Sequence, residues 1–111
     1  MRLVTARIRL DRGVATYDLA DLDVDNVNKF IAYAANPETV YTVTVTRGTN
    51  RSKVSLGSNP WRQDLRRHNL ANIAERYGGG GHPAVSAMSF KPDEIDKARA
   101  VASDIAKELR R

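Results

Sequence analysis

The run Arg76-Tyr77-Gly78-Gly79-Gly80-Gly81-His82-Pro83 holds the residues of this chain best suited to grip an anion. Four consecutive glycines cost conformational entropy, so a folded domain keeps them where side chains would interfere. Without Cβ atoms, their amides can approach an anion closely and form a concave nest of donors. His82 adds an imidazole able to donate to a phosphate oxygen. Pro83 biases His82 toward an extended backbone, which partly positions the ring in advance. A plainer reading makes Gly78 the cap after a helix and the other glycines a hinge. It accounts for one glycine, but not for four followed by His-Pro. The loop also follows a helix C-terminus, whose dipole is negative, so the amides and nearby arginines must outweigh that end.

A second group surrounds Trp61, with Arg62, Arg66 and Arg67 close in sequence and Asn59, Gln63 and Asp64 beside them. An aromatic ring among guanidiniums suits base stacking beside a phosphate track. The competing expectation is that Trp61 anchors the core and the arginines only coat the loop. His68 reads as part of a helix entry, not as a ligand.

Charge adds to this picture. The chain carries a formal net charge of +5. Residues 1–38 hold five basic and six acidic side chains, 39–90 seven and two, and 91–111 six and five. The excess therefore surrounds the glycine run and Trp61, where it would attract polyanions or simply keep a face solvated. Asp18, Asp21, Asp23 and Asp25 form the only acidic cluster, and it lacks the central glycine and closing glutamate of a calcium loop. A helix start explains it better. With no cysteine, disulfides and thiolate metal sites are excluded and a reducing, cytoplasmic setting is expected. No apolar run approaches the ~18 residues of a membrane helix, so no membrane partner is expected. Met1-Arg2-Leu3-Val4 leads directly into strand-like sequence, with no signal-peptide core.

The elements that must position these groups can be read from periodicity. Residues 3–10 and 13–19 alternate as strands, with Asp11-Arg12-Gly13 as the turn of a hairpin. Val24, Val27, Ile31 and Ala34 fall at helical spacing, and Asn36-Pro37 ends that helix. Val40 to Thr46 is β-branched and strictly alternating, and Lys53 to Leu56 follows as its partner strand. Gly57 to Arg67 reads as a loop. Asn69 is a helix N-cap before Leu70, Ile73, Ala74 and Tyr77. Val85 to Phe90 forms a last strand. Pro92, Asp93 and Glu94 open a final helix whose buried stripe is Ile95, Ala98, Ala102, Ile105 and Leu109. The order β-β-α-β-β-α-β-α predicts a single α/β domain over 1–111, built on a mixed five-stranded sheet flanked by helices.

Val54-Ser55-Leu56-Gly57-Ser58, the helix ending Ile73-Ala74-Glu75-Arg76-Tyr77, and the glycine-histidine run together resemble the C-terminal substrate-binding domain of DHH phosphoesterases. That family includes single-strand exonucleases, oligoribonucleases and cyclic-dinucleotide phosphodiesterases. The resemblance extends by motif over about residues 40–90. It implies phosphate contacts for Gly79, Gly80, Gly81 and His82, with Ser55 and Ser58 on the neighbouring strand.

There are two departures. Where the family often has Ser-x-Arg-Ser, Gly57 replaces the arginine, and Arg62, Arg66 and Arg67 are the candidates to supply its charge. After the histidine, Val85-Ser86-Ala87 stands where Ala-Ala-Gly is usual. The resemblance further implies that catalysis resides in a separate DHH domain, in the same or another chain, where aspartates and histidines bind a divalent metal, usually manganese. This chain has no Asp-His-His tripeptide and two histidines. It is therefore expected to bind nucleotides or single-stranded nucleic-acid ends and to hold no catalytic residue, metal or cofactor itself. A stand-alone nucleic-acid-binding module and a structural or oligomerisation domain remain the alternatives, and a homodimer is left open.

Overall fold

The computed structural model describes residues 9–18, 39–47, 51–59, 61 and 66–110. Strand β1 (Arg9–Asp11) turns through Arg12 and Gly13 into β2 (Val14–Asp18). Both turn residues have positive φ, 53° and 79°, the left-handed pair that a two-residue hairpin turn requires and that glycine adopts easily. Strand β3 (Tyr41–Arg47) lies parallel to β2 and antiparallel to β4 (Ser52–Ser58). Helix α1 spans Leu70–Glu75, β5 Gly80–His82, β6 Val85–Phe90 and α2 Ile95–Leu109. The sheet order is β1-β2-β3-β4-β6-β5.

The fold is the expected α/β arrangement around one mixed sheet. It also contains a short strand where the sequence predicts loop. Gly80 to His82 pairs antiparallel with β6 across a two-residue turn at Pro83 and Ala84. Strand β4 likewise runs on through Gly57 and Ser58, two residues that read as the start of a loop. The helix expected over Val24 to Ala34 lies outside the described residues.

One face of the sheet forms the core. Tyr41, Val43 and Val45 of β3, Val54 and Leu56 of β4, and Met88 and Phe90 of β6 alternate onto it. They meet Ala98, Val101, Ala102, Ile105 and Leu109 from α2, with Leu70, Ile73 and Ala74 from α1. Burying a side chain such as Leu56 or Ile105 contributes roughly 1.5–3 kcal/mol each.

Helix α1 has only six residues, too few to be stable alone. The Asn69 side chain caps it by accepting from the Asn72 amide at 3.2 Å, as the sequence predicts. Tertiary bonds hold it in place: the Leu70 amide donates to the Pro83 carbonyl at 2.9 Å, and the Ser86 hydroxyl donates to the Leu70 carbonyl at 2.7 Å. Ahead of α2, Pro92–Glu94 forms a 3₁₀ turn, and the Lys91 amide donates to the Glu94 carboxylate at 3.0 Å. Within the acidic cluster Asp18 is described, and it pairs with Arg99 of α2 at 2.6 Å.

Candidate functional site

The four glycines do four different things. Gly78 has φ +83°, and it turns the chain away from α1 while its own amide donates to the Glu75 carbonyl at 3.2 Å. The plainer reading, a helix cap, holds for this residue. Gly79 presses against β6, where an added Cβ would collide with the Ala87 carbonyl oxygen and come within 2.8 Å of Met88 Cα. Gly81 has φ +148°, and its Cβ would lie 2.6 Å from the Val85 carbonyl oxygen. Packing and backbone conformation thus account for these three. A Cβ on Gly80 would meet nothing within 4 Å. Nothing in the described fold requires a glycine there.

Strand register decides which candidates share a surface. Thr44, Ser55, Ala87 and Gly80 form one row across β3, β4, β6 and β5. Thr42, Gly57, Val85 and His82 form the next. Because side chains alternate along a strand, both rows lie on the face opposite the core. Thr42 and Thr44 are buried, Ser55, Gly57, Ala87 and Gly80 are half-buried, and Val85 and His82 are exposed. The result is a floor of small residues that opens toward β5 and ends at the imidazole. Gly57, where the resembling family often carries arginine, sits in the middle of this floor.

The remaining candidates scatter. Ser58 lies on the core face, 7% exposed. Its hydroxyl and amide both donate to the Ala84 carbonyl, at 2.8 and 3.0 Å, tying the end of β4 to the β5–β6 turn. Trp61 is 68% exposed, so it is no core anchor. Its amide donates to the Asn59 side chain at 2.9 Å, and the Asn59 amide group donates in turn to the Thr39 carbonyl at 2.8 Å. Arg66 is half-buried with an unpartnered Nε, and Arg67 is exposed. Arg62 lies outside the described residues. The Arg67 and His68 amides both donate to the Tyr41 hydroxyl, at 2.6 and 2.9 Å. That bond, between segments 26 residues apart, fixes the loop ahead of α1, and no local sequence pattern announces it.

Arg76, at the end of α1, reaches Glu108 of α2, its Nη2 donating to both carboxylate oxygens at 2.7 Å. This hydrogen bond holds the guanidinium above its ordinary pKa. Among the described residues no group of three or more histidines and carboxylates is arranged to hold a metal ion. They offer no donor set for the manganese of a DHH catalytic domain. No described helix is long and apolar enough to cross a membrane.

Compared with known proteins, residues 11–108 match the DHHA1 domain family. Among solved structures, the chain is similar to a pGpG-specific phosphodiesterase, PggH, from Vibrio cholerae, with a TM-score of 0.80 at 18% identity. It is also similar to an exopolyphosphatase-related protein from Bacteroides fragilis, with a TM-score of 0.64 at 15% identity. The two alignments cover 97% and 99% of this chain, but 38% and 35% of those proteins. The chain therefore spans less than two-fifths of the length of either. Among curated proteins no match was found.

Proposed function

Because the chain belongs to the DHHA1 domain family, we propose that it serves as the substrate-binding part of a DHH-family phosphoesterase and holds the phosphate of a nucleotide or single-stranded nucleic-acid end. Gly80 carries this reading. It is the one glycine of the run that combines open space at its Cβ position with a backbone free of positive φ, and it stands in the rows that also bear Ser55, Gly57 and His82. A phosphate seated there would meet the exposed imidazole and the backbone of an edge strand, whose outward amides have no strand beyond them in the described sheet. Gly79 and Gly81 support the site by letting β5 lie close against β6.

The attacking water and its metal belong, on this reading, to a DHH catalytic domain in the same or another chain. The contribution of this domain is to fix the substrate relative to that centre, and such positioning can supply a large part of a rate enhancement. The exposure of Trp61, 68%, favours a second, related reading in which the domain binds nucleic acid by itself through base stacking.

The deciding measurement compares 5′-phosphorylated and 5′-hydroxyl dinucleotides by fluorescence anisotropy. The phosphorylated form is expected to bind at least tenfold more tightly, and equal affinity would remove phosphate as the recognised group. The same chain incubated with manganese and a fluorescent dinucleotide is expected to leave it uncut.

A further inference from the structure

A cavity of about 280 Å³ lies on the core side of the same end of the sheet, lined by Arg12, Val40, Tyr41, Arg67, His68, Leu109 and Arg110. It shares no residue with the glycine hairpin. Tyr41 points to the core face, whereas His82 lies in a row on the opposite face, so the two places are separated by the sheet itself.

Three arginines are among its described lining residues, and none of those residues is acidic. Among the described residues the Arg67 guanidinium has no hydrogen bond or ion pair, while its backbone is pinned by the Tyr41 hydroxyl at 2.6 Å. His68 stands edge-on to the Tyr41 ring, centroids 5.7 Å apart, and its Nε2 is buried without a partner. A buried, unsatisfied ring nitrogen is costly, and a ligand atom would relieve it. The α2 C-terminus brings the negative end of a helix dipole, equivalent to roughly half a charge, which the full charge of Arg67 outweighs. Val40, Leu109 and the Tyr41 ring supply apolar wall. The volume lies just below the roughly 300–1,000 Å³ of small-molecule sites, which suits a compact ligand rather than a polymer.

We propose that this cavity is a second anion site, taking a small organophosphate of nucleoside-monophosphate size. Its phosphate pairs with the Arg67 fork, which matches phosphate oxygens in geometry as well as charge. Its organic part rests on Tyr41 and Leu109. This assignment does not depend on the glycine hairpin binding anything.

Proton–nitrogen correlation spectra of the full chain, titrated with adenosine 5′-monophosphate, inorganic phosphate or adenosine, test it. The monophosphate is expected to shift the amides of Arg67, His68 and Arg110. Adenosine should shift none of them, and inorganic phosphate only at about tenfold higher concentration. Arg67→Ala, at an exposed position, should weaken the monophosphate about tenfold or more. His68→Phe keeps a ring, removes Nε2 and should also weaken it. Gly80→Val should leave these shifts unchanged, which separates this site from the hairpin. Shifts confined to Gly80–Val85, wild-type affinity in both cavity variants, or inorganic phosphate binding as tightly as the monophosphate would each overturn the proposal.

Discussion

Gly79 and Gly80 are neighbours of the same type, yet the structure assigns them opposite sensitivities. A methyl group at Gly79 meets the backbone of β6, so Gly79→Ala should cost at least about 1–3 kcal/mol through overpacking. Gly80→Val adds bulk into open space and should change stability by less than about 0.5 kcal/mol. On the proposed function it should nonetheless abolish binding of a phosphorylated dinucleotide. Urea unfolding and anisotropy on the two variants separate the effects, and normal binding by Gly80→Val would return the run to a purely structural role. The sequence marks these glycines out as a group because four in a row are costly to order. Their division of labour depends on contacts with Ala87, Met88, Val85 and Ser86, and a sequence window contains no such contacts. His68 illustrates the same limit, since its surroundings come from segments as distant as Arg12, Tyr41 and Arg110.

Among the elements, α1 depends most on its neighbours. Ser86→Ala removes the hydroxyl that donates to the Leu70 carbonyl in a buried setting, and should destabilise by about 1–2 kcal/mol. Arg76→Ala breaks the ion pair with Glu108. With those side chains 53% and 32% exposed, solvent screening should limit the loss to about 1 kcal/mol or less. Chemical unfolding of both variants gives the comparison, and the expected ranking is Ser86 above Arg76. Strand β3 and the stripe of α2 are legible in the sequence because dense β-branched alternation and 3.6-residue spacing are strong signals. Strand β5 is not legible. Two of its three residues are glycine, which propensity disfavours in strands. Its pairing comes from β6, through a turn that carries proline.

For the whole molecule, the excess of positive charge around residues 39–90 should make nucleic-acid affinity strongly salt-dependent. Replacing Arg62, Arg66 and Arg67 with alanine should flatten the log–log slope by ~0.7 for every single-strand phosphate that is no longer neutralised. Trp61→Ala should keep the slope and lower affinity by ~1–3 kcal/mol where a base stacks. Titrations at several salt concentrations distinguish these outcomes, and an unchanged slope in the triple variant would leave the arginines as surface solvation. Composition and periodicity are enough for an α/β domain with a mixed sheet. The strand order is beyond their reach. That β6 inserts between β4 and β5 follows from which edges are free once β3 and β4 have paired, a choice made in three dimensions.

The Tyr41 hydroxyl holds two consecutive loop amides to a strand inside the sheet. An exposed loop ordinarily trades its amide protons with solvent quickly, because it opens without disturbing its neighbours. Arg67 and His68 can release theirs only when the loop lifts off the tyrosine oxygen. Their deuterium uptake should therefore lag well behind that of Asn69 and follow the slower pace of the sheet. With Tyr41→Phe this delay should disappear at both positions while β4 keeps its protection. A loop that exchanges like a strand carries part of the domain's rigidity out to the surface where a partner would first touch it.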